Sequence, residues 1–157
     1  MGRLLLKTPL YLLTSSEPCY RCGATAPVVA LACKEFQDAD DDPAELVGPA
    51  SKPVLIQSVT EMPDSLLGLI RDMHPHYEKR RSRMANSDYF MNVCPQCNAH
   101  FGDFFLFSEP EGAFFPMTDE ATAAITIRKL PIDTNVEIVG SYSVGPGETI
   151  FQQGKML

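Results

Sequence analysis

Apolar and polar positions along this chain change over in short blocks, broken by proline, glycine and acidic residues, which predicts short elements. Residues 4–13 (LLLKTPLYLL) form a first apolar block, interrupted by Lys7 and Pro9, and predict a strand. Val28, Val29, Ala30, Leu31 and Ala32 run without a break, as expected of a strand buried on both faces. Val54, Ile56 and Val59 predict a third strand. Tyr89, Met91 and Val93 alternate on one face of a further strand, and the β-prone run Phe104–Phe107 predicts another.

The helical signal falls at residues 63–87. Pro63 and Asp64 resemble a helix start, and Leu66, Leu67, Ile70 and Met73 or His74 recur at helical spacing. Pro75 should end or kink that helix, with a second helical piece through HYEKRRSRMA. TDEATAAITIRKL predicts a short helix capped by Thr118 or Asp119, with Arg128 and Lys129 at the end where the dipole favours cations. The final NVEIVGSYSVGPGETIF predicts one or two strands broken by glycine turns. Strands and helices do not alternate regularly. The expected fold is therefore α+β: a mainly antiparallel sheet with one kinked helix, in a single domain over residues 1–157.

Composition bounds this picture. A chain of 157 residues can bury a core without staples, and no stretch approaches the ~18 apolar residues of a membrane span. The N-terminal residues lack a small-x-small cleavage site. The cysteine number is odd, with four in CxxC pairs, which is no secreted disulfide framework; a cytoplasmic protein is expected. The net charge of −7 argues against general nucleic-acid binding and suits a basic partner.

The acid is concentrated at about residues 35–52. Asp38, Asp40, Asp41, Asp42 and Glu45 repel one another among two prolines and a glycine, with a third proline directly after, so an exposed loop is expected. A solvated loop is the plain reading; a docking surface for a cationic partner and a weak divalent-cation site are the alternatives. Lys79, Arg80, Arg81 and Arg83 form the one basic cluster. It reads as a solvated face, with nucleic-acid contact as the alternative, although no aromatics able to stack bases are interleaved.

Chemistry concentrates in CYRCG (Cys19–Gly23) and CPQCN (Cys94–Asn98). A CxxC turn places two thiolates on one side of a tight bend, and two such turns supply the four sulfurs of a tetrahedral Zn²⁺ site. Gly23 and Asn98 follow the second cysteine of each pair, and both tolerate the left-handed backbone such a turn needs. Backbone amides in the turns can offset the thiolate charge.

The pattern resembles the zinc-ribbon group, with knuckles at hairpin tips, and small bacterial proteins carrying two CxxC knuckles. Carried onto this chain, the resemblance makes Cys19, Cys22, Cys94 and Cys97 the ligands of one structural zinc ion, and implies no single activity. It departs from the usual pattern in two places. Residues 23–93 form a spacer far longer than the usual ~15–20 residues, and Asn98 stands where glycine is commoner. The spacer implies a helical lobe, about residues 63–87, inserted between the knuckles.

Two other readings stay open: a redox CxxC, since VCPQC resembles the glutaredoxin motif and Pro131 lies where such folds place a cis-proline, and coincidence. Four cysteines leave no open position for a substrate. His100, three residues past Cys97, reads as an ordinary polar residue, with metal binding as the alternative; His74 and His76, flanking Pro75, read as exposed imidazoles at a helix end. Cys33 reads as a buried small hydrophobe. The expected function is a non-catalytic protein-binding module, in its most specific form an immunity- or antitoxin-like inhibitor of a basic toxin or nuclease. A nucleic-acid-binding accessory protein and a thiol-disulfide oxidoreductase are the alternatives.

Overall fold

Strands β1 (Gly2–Pro18) and β2 (Thr25–Asp38) form one long antiparallel hairpin in the computed structural model, which describes residues 2–38, 53–143 and 146–157. Their register runs from Leu4 opposite Asp38 to Pro18 opposite Thr25, with one irregularity between Lys7 and Leu10. Pro9 lies in that irregularity and cannot donate to the ladder. β3 (Val54–Glu61) pairs with β2 on one side and with β8 (Val136–Ser143) on the other. β8 returns to the first half of β1, so the pairings β1–β2–β3–β8–β1 close into a small barrel-like sheet. The second half of β1 pairs instead with β7 (Thr126–Lys129), which carries a short parallel strand, β9 (Lys155–Met156).

Alternation along β1 and β2 feeds two cores. Tyr11, Leu13, Val28, Ala30 and Ala32 pack on one face of the hairpin. Leu10, Leu12, Val29, Leu31 and Cys33 pack on the other, with Leu66 and Ile70 of helix α1 (Asp64–Met73). The unbroken apolar run of β2 is thus buried on both faces, at about 1.5–3 kcal/mol for each large aliphatic side chain fully removed from water.

A second sheet of β4 (Tyr77–Ser82), β5 (Ser87–Val93) and β6 (His100–Phe101) lies against this hairpin. The buried Asn92 of β5 joins the two. Its Oδ1 accepts from the Val29 N–H at 2.8 Å and its Nδ2 donates to the Val29 carbonyl at 3.0 Å. The side-chain amide takes the place of a neighbouring strand at a position of β2 that β3 does not reach. Asp103 makes a second join. Its carboxylate accepts from the Ser58 N–H of β3 at 2.6 Å, and its own N–H donates to the Tyr89 hydroxyl of β5 at 3.0 Å.

Four sequence expectations are corrected. Helix α1 is unkinked; Pro75 ends it, and the second helical piece is strand β4, so the segment between the knuckles is not a helical lobe. Cross-strand contacts select that outcome: Tyr77 stacks on Phe90, Lys79 lies over the same ring, and Arg81 pairs with Asp88. Phe104–Phe107 is not strand but lies in a one-turn helix, α2 (Asp103–Phe107), because β6 ends at Phe101 and no strand among the described residues pairs beyond it. The helix begun at Thr118, whose hydroxyl accepts from the Ala121 N–H, stops at Ala123 (α3, Asp119–Ala123). Arg128 and Lys129 stand on β7, where the β-branched run around Ile127 pairs with β1. Residues 147–153 turn into helix α4 (Gly147–Gln153) rather than strand. Of the acidic loop, Asp38 ends β2; Asp40, Asp41, Asp42 and Glu45 lie outside the described residues.

Asn92→Leu keeps the volume and removes both partners of Val29. It should destabilise the protein by about 2–4 kcal/mol in urea denaturation, the cost of two unsatisfied buried backbone groups. A loss under about 0.5 kcal/mol would show that Val29 is satisfied elsewhere.

Burial pushes the Asp103 carboxyl up from 3.8 to about 7, partly opposed by the Ser58 hydrogen bond. The folded chain therefore keeps a proton that the unfolded chain has lost, and stability from this group falls as pH rises from about 4 to about 7. Asp103→Asn should flatten that slope, gaining about 2 kcal/mol over wild type between pH 5.5 and 8 in paired unfolding curves. Parallel curves for the two proteins would refute the shift.

Candidate metal centre

Cys19 and Cys22 sit at the tip of the β1–β2 hairpin, and Cys94 and Cys97 at the tip of β5–β6. The two tips are the same turn. In each, the first cysteine's N–H donates at 2.8 Å to the carbonyl five residues on, Ala24 and Ala99 respectively. In each, the N–H of the fifth residue, Gly23 or Asn98, donates at 2.9 Å back to the first cysteine's carbonyl. That fifth residue has positive φ in both, +76° at Gly23 and +66° at Asn98. The glycine and asparagine read from the sequence as left-handed positions are so used, and an alanine at either would meet its Cβ penalty.

The repeated turn brings together all four predicted cysteines, their sulfurs within 4.8 Å of one another. Two of the contacts cross between knuckles: Cys19 to Cys97 at 3.5 Å and Cys22 to Cys94 at 3.7 Å. Four thiolates at about 2.3 Å from one ion stand about 3.8 Å apart along the edges of a tetrahedron, so these distances fit ligation of one ion. A disulfide would need about 2.05 Å. The first cysteine of each pair is buried, while Cys22 and Cys97 lie nearer the surface.

Electrostatics in the cluster is uneven. The Cys19 thiol is lowered, first by the backbone hydrogen bond from Cys22 and further by that from Arg21, whose N–H lies 3.4 Å from its sulfur. The Cys97 thiol is pushed up, first by burial and further by the neighbouring sulfurs. Four thiols so crowded cannot all ionise without a cation among them, and a divalent ion would supply that charge. Arg80 supplies a second positive group. Its guanidinium donates to Glu78 and to Oδ1 of Asn98, at 2.9 Å for the latter, and reaches Nε2 of His100 at 3.4 Å. His100 is therefore a partner of Arg80, outside the four-sulfur cluster.

The remaining candidates fall elsewhere. Of the basic cluster, Arg80 and Arg81 are engaged by Glu78, Asp88, Asn86 and Asn98, and Lys79 lies over Phe90; Arg83 is exposed near the hairpin tip. His74 is not the exposed imidazole expected from the sequence. It is 3 % exposed at the end of α1, and burial, then the charge of His76, lowers its pKa to about 4. Cys33 is buried as expected, its thiol pushed up to about 12 by burial. Cys94–Cys97 lies in a strand-to-strand turn and not at a helix N-terminus, and the cis peptide among the described residues precedes Pro9, not Pro131.

Sequence reasoning missed Arg80 as support for the knuckle, because only the β4–β5–β6 register brings it beside Asn98. It missed Asp103 and Glu17 as buried acids for the same reason: neither is marked by a local pattern. No protein-family model, curated protein or solved structure matches this chain. No helix among the described residues is long and apolar enough to cross a membrane.

Protein purified without added metal should carry one metal ion per chain, and Cys94→Ser should lose it together with most of the thermal stability. Ligation requires deprotonated sulfurs, so acidification should release the ion with proton uptake. Elemental analysis across pH checks this; folded, metal-free protein at pH 8 would overturn it.

Proposed function

We propose that the chain is a zinc-clasped, non-catalytic protein-binding module. The observation that carries this reading is the mutual placement of Cys19, Cys22, Cys94 and Cys97, with contacts of 3.5 and 3.7 Å across the knuckles. Four soft thiolates in a tetrahedral arrangement suit Zn²⁺, and a complete set of four protein ligands favours a structural ion over a catalytic one. Cys19 and Cys94 belong to the core cluster that includes Tyr11, Leu13 and Phe101, and Cys97 packs against it, so the ion would fasten both knuckles to one core.

The partner-binding side of the reading is supported by surface. Met84, Phe104 and Phe105 are exposed around a cleft of 450 Å³ that also reaches Ser58 and Tyr89. Exposed apolar groups gathered in this way are a common mark of contact surfaces. The net charge of −7 favours a basic protein as the partner. In its most specific form the function is inhibition of a cationic toxin or nuclease by an immunity- or antitoxin-like protein in the cytoplasm.

Affinity capture from the native cell, with the wild type and a variant carrying Asp40→Asn, Asp41→Asn, Asp42→Asn and Glu45→Gln, tests the reading. The expected result is one saturable partner of high isoelectric point, its binding weakened at least tenfold by the variant. An acidic partner, or equal capture by both proteins, would overturn the basic-partner reading. Substitution with Co²⁺ tests the clasp separately: a tetrahedral thiolate spectrum is expected, and an octahedral one would reject the four-sulfur shell.

A further inference from the structure

A second cleft, of 270 Å³, lies between the end of β1 and the segment leading into α3. Its lining includes Glu17, a residue only 8 % exposed. Among the described residues the Glu17 carboxylate has no hydrogen-bond or ion-pair partner, although it lines the cleft. A carboxylate on a largely buried residue, open to water only through the cleft and without a counter-charge, is costly, and such groups are normally paired or hydrogen-bonded. Its β1 position leaves it little room to turn away, since its backbone is paired with Ala26.

The rest of the lining states which counter-charge fits. Ser15 and Ser16 bring hydroxyls, and the exposed Glu111 adds a second carboxylate. Ala113, Pro116, Met117 and Ala121 form apolar walls. Gly112 closes one side so tightly that a Cβ there would strike the carbonyl oxygens of Phe105 and Leu106. An anionic base with apolar walls matches a cation carried on methylenes, the amphipathic form of lysine and arginine side chains. At 270 Å³ the cleft falls just under the ~300–1,000 Å³ usual for small-molecule pockets, which suits one side chain or one small amine. Among the described residues, no third metal-ligating group gathers with these two carboxylates, so a bare divalent cation would find too few ligands. Filled by a divalent ion, the four-thiolate site beginning at Cys19 would itself be net negative and would add to the attraction.

We propose that this cleft binds a single ammonium or guanidinium group on a short aliphatic stem, with Glu17 as its counter-charge. The inference deepens the reading of the protein as acceptor of a basic partner, and rests on it only for the origin of the cation.

Amide chemical-shift titration of the full, metal-loaded chain tests it with n-butylguanidinium, n-butylammonium and the neutral 1-pentanol. The cations should give saturable shifts at Ser15, Ser16, Glu17 and Gly112. Glu17→Gln should weaken them at least tenfold, while Asp72→Asn on exposed α1 should change them less than twofold. Cation binding that is absent, matched by 1-pentanol, or unchanged in Glu17→Gln would overturn the proposal. If Glu17→Gln does not fold, the comparison of cation with alcohol on the wild type decides. A blocked Gly-Ser-Arg-Ser-Gly peptide separates the sources, with its Arg→Ala form as control. Tighter binding than n-butylguanidinium identifies a partner's side chain, and equal or weaker binding identifies a free amine. None of these measurements uses the native partner, so a failed capture and a failed titration are distinct results.

Discussion

Four cysteine sulfurs within 4.8 Å of one another impose a constraint that no arrangement of the backbone removes: their charge must be met by protons or by a cation. The two knuckles belong to different sheets, one to the barrel-like sheet through β1–β2 and one to the small sheet through β5–β6. An ion bound between them therefore acts on the relation between sheets and not on either alone. Structural zinc sites contribute apparent binding energies of about 10–16 kcal/mol, against a net stability of about 5–15 kcal/mol for a whole domain. On that scale the hydrogen bonds of Asn92 to Val29 and of Asp103 to Ser58 set alignment, and an ion bound by the four cysteines would dominate how firmly the sheets stay together.

The sequence made the metal centre legible because its determinants are local. Two thiols at fixed spacing, followed by Gly23 or Asn98, encode one turn wherever they occur, and both copies adopt it with matching hydrogen bonds. Strand β2 was legible for a related reason, since an unbroken apolar run has no polar face to present. The missed elements depend on partners. EKRRS has no periodic apolar pattern, and becomes strand because Phe90 and Asp88 stand opposite it. Phe104–Phe107 is a short apolar run that period alone cannot divide between strand and helix. It turns helical because Leu106 and Phe107 reach the core while Phe104 and Phe105 point out.

Buried polar groups were the least legible feature. His74, Asn92, Asp103 and Glu17 lie in stretches whose sequence suggests nothing unusual, and their burial follows from sheets meeting over them. Each is resolved differently. Asn92 satisfies a backbone, Asp103 shifts toward its protonated form, and His74 is driven toward the neutral imidazole, with Nε2 unpartnered among the described residues. Glu17 differs from these in facing a cleft, where a ligand can meet its charge.

The clasp and the candidate contact surfaces are mechanically linked. The 450 Å³ cleft takes Ser58 from the barrel-like sheet and Tyr89, Gly102 and Phe104 from the small sheet and its following helix. Its width is thus fixed by how the two sheets sit, which is what a bound ion would control. The smaller cleft takes Glu17 from the strand that leads into Cys19, so the same knuckle positions its base. With an ion bound, four thiolates would leave no open position for a substrate, and would help to hold both clefts in shape. The separation of the cysteine pairs in sequence then has a structural meaning for the larger cleft: Ser58, Ser82, Met84, Ala85 and Tyr89 between them build one part of its wall, and Gly102, Phe104, Phe105 and Glu109 beyond the second knuckle build the rest.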